Sequence, residues 1–301
     1  MNILLKTALG LMTTLFGFIY FRDAIKRRAL FSRKPWAGFL GTGLLTNFFD
    51  TLGIGSFAQQ TAIFKFFRLV DDRIIPGTMN VGNTIPTVLQ AFIFMTVVKV
   101  DAVTLVAMSL AAPAGSVIGA GVVAKMKRGK IQLGMGIGLL VIALIILAGQ
   151  LNVMPVGGEA FGLTGWKLSL AVALSFVFGA LQTIGIGFYA PCMAIVYALG
   201  MHPLTAFPIM MTATAMLMAA GSARFVTADA YDRKAAVGVT AGGVIGVFIA
   251  AYIVKSLPLT VLKWVVCAIV LYTAAWMFLS AFKSWKEPAA VAAVPISDSF
   301  K

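Results

Sequence analysis

Apolar positions along this chain do not alternate with polar ones. They run on in blocks, separated by short polar clusters. An α-helix needs about 20 apolar residues to cross a hydrocarbon core of about 30 Å. By that criterion the blocks predict helices over 3–21, 76–98, 102–125, 131–147, 204–225, 235–254 and 259–282. Two stretches break the pattern. Residues 36–67 and 167–199 each run for roughly 32 residues, about 48 Å as unbroken helix at 1.5 Å per residue. Each is interrupted near its middle by Gly-Ile-Gly.

The interruption occurs twice in nearly the same words. Thr51-Leu-Gly-Ile-Gly55 meets Thr183-Ile-Gly-Ile-Gly187 at an offset of about 132 residues. Aligned without a gap from Asp50 to Pro76, roughly eight of 27 positions are identical, among them Ala58/Ala190, Ala62/Ala194, Ile63/Ile195 and Pro76/Pro208. Further on, Gly115-Ser-Val-Ile-Gly119 resembles Gly242-Gly-Val-Ile-Gly246. The chain therefore reads as a duplication, with a first repeat over 36–150 and a second over 167–286. A linker, 151–166, joins them. An N-terminal helix with a basic loop, 1–35, precedes them, and an Ala- and Pro-rich tail, 287–301, expected to be disordered, follows.

Composition names the solvent. With 60% hydrophobic and 11% charged residues over 301 positions and a mean hydropathy of +0.96, the chain lacks the polar surface to cover a soluble globule. Its surroundings are a lipid bilayer. The segment 1–21 has no small-residue cleavage site and runs into Arg22 and a basic cluster, so it reads as a retained helix and not a removed signal. The net charge of +14 points to topology and not to nucleic acid, because the cations sit in short loops beside apolar spans. These clusters are Lys26/Arg27/Arg28/Arg33/Lys34, Lys65/Arg68/Arg73, Lys125/Lys127/Arg128/Lys130, Arg224/Arg233/Lys234 and Lys283/Lys286. The 150–166 connection carries Glu159 and no cation in its interior, which marks it as external.

That distribution chooses a topology. If 36–67 crossed the bilayer, the cluster at Lys125 would fall outside and the cation-free 150–166 connection inside, against the positive-inside rule. If both interrupted stretches are re-entrant hairpins, every basic cluster and the C-terminus become cytoplasmic, and the N-terminus external. Each repeat then holds one hairpin and three crossings, and the odd number turns the second repeat upside down. The expected fold is an all-α polytopic membrane protein of the cell membrane, built from an inverted repeat plus an extra N-terminal helix.

A Gly-x-Gly hairpin followed by a polar helix, in two copies over nearly the whole chain, resembles the sulfite exporter TauE/SafE family, also called the 4-toluene sulfonate uptake permeases. The second copy carries the family's proline and Thr-bearing helix as Gly185-Ile-Gly187-Phe-Tyr-Ala-Pro191 and Thr212/Thr214. The first copy departs, with Gln59 at the proline position and Asn80, Asn83 and Thr84 in place of a plain Thr/Ser pattern. The resemblance implies transport of small sulfur-containing or organic anions, often outward, without an ATPase.

The chemistry of the breaks points the same way. Interrupted backbone cannot be satisfied by lipid, so it must line an enclosed or wet cavity. Each half-helix that begins there offers free N–H groups and a positive dipole end, and two such ends make an anion site. The expected substrate-binding residues are Thr51, Gly53, Gly55, Ser56, Gln59, Asn80, Asn83 and Thr84, with Thr183, Gly185, Gly187, Phe188, Thr212 and Thr214 from the second copy. Asn80 aligns with Thr212. Asp50 is the expected coupling residue, since an acid at such depth is costly. It is read as a proton carrier, a partner of a cation, or a structural cap. Its repeat mate, Gln182, does not titrate.

The remaining features are plainer. Cys192 and Cys267 read as packing residues, His202 as an interfacial polar residue, Gly134-Met-Gly-Ile-Gly138 as close helix packing and Asp71-Asp72-Arg73 as solvated loop charge. Neither a cofactor nor a metal is expected. The expected partners are a small anion, the bilayer, a coupling proton or sodium ion, and a second copy of the chain, with no nucleic acid. A secondary transporter is the favoured function; an anion channel or a membrane enzyme on the same hairpin fold is the alternative.

Overall fold

The computed structural model describes residues 2–153, 157–253 and 259–286, which are mostly helical with no β-strand among them. The α-helices are α1 (Asn2–Lys26), α2 (Trp36–Thr51), α3 (Phe57–Phe66), α4 (Ile75–Val97), α5 (Ala102–Val123), α6 (Arg128–Gln150), α7 (Gly165–Gln182), α8 (Tyr189–Ala198), α9 (Ala206–Thr227), α10 (Arg233–Phe248) and α11 (Leu259–Lys286). Six of them, α1, α5, α6, α7, α9 and α10, are long and apolar enough to cross a membrane, and the protein is a polytopic membrane protein. The expected helices correspond to observed ones within a few residues. The stretch over 235–254 differs most: α10 ends at Phe248 and continues as a π-helical turn, Ile249–Ile253. Residue 254 and the tail 287–301 lie outside the described residues.

Both interrupted stretches double back. Lys167, at the start of α7, donates from Nζ to the carbonyl of Leu199, just past the end of α8, at 3.1 Å. The start of the second stretch therefore lies beside its end. For the first stretch the segment that opens α10 is the common neighbour. Lys234 Nζ sits over the Trp36 ring at the start of α2, while the Asp232 N–H donates to Thr78 in the first turn of α4, which follows α3 directly, at 2.9 Å.

The two doubled stretches occupy opposite ends of the bundle. At one end, Arg233 pairs with Asp23 at the close of α1, and Lys65 on α3 meets Asp72, which accepts from Gln132 on α6. Gln132 in turn accepts from Ser284 on α11 at 2.8 Å. This is where the cation-rich connections gather. At the other end, the connection before α7 is tied to α5 and to the segment after α8: Asp101 N–H donates to Phe161 O at 2.7 Å and His202 N–H to Ala160 O at 2.8 Å.

Small residues let the backbones close up. α2 packs along α10, and α7 along α5. A Cβ on Gly242 or Gly246 of α10 would fall 2.0 and 2.2 Å from the carbonyls of Leu40 and Leu44 on α2. One on Gly115 of α5 would fall 1.9 Å from Phe176 O on α7. Helices in lipid associate through such close contact, since the hydrocarbon offers no hydrophobic drive between them. α4 packs on α9 and α6 on α11, completing the bundle.

Candidate functional site at the two helix breaks

The two breaks are built alike. After α2, the Gly53 N–H donates to Asp50 O at 2.9 Å; after α7, the Gly185 N–H donates to Gln182 O at 2.9 Å. Gly53 and Gly185 then take φ of +86° and +106°, a region that side chains disfavour, and the chain swings into the next half-helix. The first N–H groups of α3 and α8 are left without helical partners. Gln182 Oε1 accepts the Phe188 N–H at 2.9 Å, capping α8 from six residues upstream. Asp50 stands at the matching position before α3. Its carboxylate faces the N–H and hydroxyl of Ser56, with Gln90 of α4 and Tyr189 of α8 beside it.

Where the breaks meet there is a cavity of about 30 Å³, room for one or two waters. Its wall takes Gly55 and Ser56 from the first break, Gly187 and Phe188 from the second, and Asp50 and Thr214 from the flanking helices. Asp50 is 3% exposed and takes part in none of the ion pairs among the described residues. Thr214 is 4% exposed, and its hydroxyl has no hydrogen-bond partner. Most of the remaining wall is apolar, from Phe57, Ile142 and Met218.

The other expected residues divide into two groups. Thr51, Gln59, Asn83, Thr84 and Thr183 spend their side chains within the bundle. Thr51 donates to Asn47 O at 2.8 Å and accepts from Gln90 at 3.0 Å. Gln59 donates to Gly55 O at 2.7 Å. Asn83 exchanges amide bonds with Gln60 and accepts from Asn47, joining α4 to α3 and α2. Thr84 donates to Asn80 O and lies 3.0 Å from the Ser222 hydroxyl. Thr183 donates to Ala180 O at 2.6 Å. Asn80 and Thr212 are fully buried, and Asn80 Oδ1 and Thr212 Oγ1 are unpaired, but neither lines the cavity between the breaks.

Several participants are absent from the expected site residues, among them Thr87 in the cavity wall and three hydrogen-bonding side chains, Gln182, Gln90 and Tyr189. Gln182 is visible in the sequence as the repeat mate of Asp50, but a neutral side chain there gives no sign of its capping role. Gln90 continues the polar face of Asn80, Asn83, Thr84 and Thr87 by three residues. Tyr189 donates to Gln90 Oε1 at 2.8 Å across the two halves, a contact no spacing encodes. The motif Gly134 to Gly138 also serves the site, because a Cβ on Gly138 would fall 2.1 Å from Ile186 and one on Gly134 2.7 Å from Ile184. These glycines of α6 seat both isoleucines of the second break.

One expectation is overturned. Asp71-Asp72-Arg73 is not uniformly solvated: Asp72 is 4% exposed, paired with Lys65 and accepting from Gln132 at 2.6 Å. A carboxylate that lies against a buried ammonium and an amide is drawn under the bundle end, and only its neighbours remain in water. Among the described residues no group of three or more His, Cys, Asp or Glu comes together. Compared with family models, with curated proteins and with solved structures, the chain matches none.

Proposed function

We propose that the protein is a secondary transporter of a small sulfur-containing or organic anion, of the kind the resemblance to TauE/SafE exporters implies, acting by alternating access around the cavity between the breaks. The observation that carries this reading is the meeting of two interrupted helices, doubled back from opposite ends, at one buried cavity with an unpaired hydroxyl in its wall. Paired half-helix ends at mid-depth offer N–H dipoles to an anion from both halves of the protein. An inverted repeat is the natural frame for this. The equal Gly53 and Gly185 turns support it, as does the exchange of partners between α2 with α10 and α7 with α5. The cation-rich end is assigned to the cytoplasm, which makes the N-terminus external.

Solute counterflow in proteoliposomes tests the reading. With unlabelled thiosulfate inside, external labelled thiosulfate or a sulfonate is expected to accumulate transiently and saturably. Conductive flux with no counterflow would assign a channel instead, and no flux of any anion would overturn transport.

A further inference from the structure

We infer that Asp50 is a tethered stand-in for the transported anion and must take up a proton for the anion to bind, making transport proton-coupled with one proton per anion. This rests on the anion reading of the cavity. Its basis is the difference between two otherwise matched positions. Gln182 caps α8 with a neutral amide oxygen, which leaves the positive dipole end of that half-helix uncompensated. Asp50 sets a carboxylate at the start of α3, where it faces the Ser56 N–H and hydroxyl. This charge complements the helix end, as a bound anion would.

A second negative charge in the same small cavity is repelled by the first. No cation among the described residues forms an ion pair with Asp50 to offset that repulsion. The groups facing Asp50 are Ser56 at the head of α3, Gln90 of α4 and Tyr189 of α8. Tyr189 is the only titratable one, and Cys192 stands behind it on the same helix. A proton from water on Asp50 removes the repulsion and converts the carboxylate from acceptor to O–H donor, able to bond the incoming anion. On release the proton leaves with the substrate.

The surroundings favour a proton over sodium. Two neutral acceptors near Asp50 are already engaged, since Gln90 Oε1 accepts from Tyr189 and Thr51 Oγ1 from Gln90, which leaves the Thr214 hydroxyl as the free neutral oxygen in the wall, fewer than the roughly six oxygens typical of a protein-bound hard cation. The coupling needs only one of the two repeats to titrate, and the Gln182 position supplies the constant, neutral half.

The test is anion binding and proton uptake by the full-length protein, using thiosulfate and methanesulfonate because neither titrates near neutral pH. In weakly buffered solution at a pH where Asp50 is ionised in the free protein, addition of the anion is expected to take up one proton per site. Above the pH at which Asp50 ionises, affinity is expected to fall about tenfold per pH unit, the slope of a one-proton linkage. Asp50→Asn should bind with a flat pH profile and no proton uptake, and Asp50→Glu should restore the slope. Should Asp50→Asn not fold, proton uptake by the wild type and the Asp50→Glu profile still decide. Anion binding without proton uptake, or binding that requires sodium at constant pH, overturns the coupling and leaves the anion site standing. Absence of anion binding in every variant at every pH overturns the anion reading itself.

Discussion

At the scale of single residues, the polar side chains fall into those that complete the bundle and those left incomplete. Lys65 and Asp72 complete it, their side chains only 9% and 6% exposed, with Arg128 3.7 Å from the same carboxylate oxygen. Lys65→Met takes the nearest cation from a buried carboxylate, leaving it Gln132 and the more distant, half-exposed Arg128, and is expected to cost on the order of 3 kcal/mol in detergent unfolding, with partial recovery in Lys65→Met/Asp72→Leu. Thr214 is the contrary case, since its hydroxyl bonds to nothing. Thr214→Val should leave unfolding within about 0.5 kcal/mol of the wild type. Because it removes a hydrogen bond to a charged ligand, it should weaken anion binding about tenfold in a titration. Outside the membrane, Asp101 accepts the N–H and hydroxyl of Thr104, both at 2.9 Å, and these bonds hold its carboxyl below the usual carboxylate range. The stabilisation is therefore present above the ordinary carboxylate pKa and lost as the pH falls through the depressed value. Asp101→Ala should cost about 1 kcal/mol at neutral pH and progressively less in acid.

At the scale of elements, glycine decides which helices touch. Gly115→Ala drives a methyl toward the Phe176 carbonyl, a backbone atom that cannot rotate away. Overpacking of about 1–3 kcal/mol is expected in a thermal melt. At Gly10, on α1, an added methyl would meet nothing within 4 Å, so Gly10→Ala should show no such loss. The first hairpin carries a further tie absent from its counterpart: the amide exchange of Asn83 with Gln60 and Asn47 has Ala215, Cys192 and Gly179 at the aligned positions. Asn83→Leu leaves Gln60 Oε1 without the donor Asn83 supplies, while Gln60 and Asn47 keep their bonds to Thr46 and Gly43 O, and should destabilise by about 1–3 kcal/mol. Much of this level was legible in the sequence. Apolar length located the helices, and the two long stretches gave away their interruption, because a span longer than the bilayer must break or tilt. Their partners were not legible. A glycine spacing reports that something approaches closely, and only the folded chain says that Gly138 seats Ile186 or that Gly246 lies under Leu44.

At the scale of the whole molecule, the duplicated segment and the distribution of charge give one arrangement: two doubled helices, one from each end, with their breaks side by side. The sequence carried the doubling through charge alone, since the alternative crossing put the basic clusters on the wrong face. It did not carry the site in detail. Asn80 and Thr212 aligned well and proved deeply buried, yet the polar wall of the cavity is made by Thr214 and Thr87 and by the two capping residues, Asp50 and Gln182. The central claim is that both breaks serve one anion site. It is tested most directly by the thermal shift of the purified protein with sulfite, thiosulfate, sulfate, sulfoacetate, taurine, acetate and chloride, repeated on Thr214→Val. Selective stabilisation by a sulfur oxyanion or sulfonate, weakened in the variant, is the predicted result. Stabilisation by a cation or an uncharged solute, with no response to any anion, would contradict it.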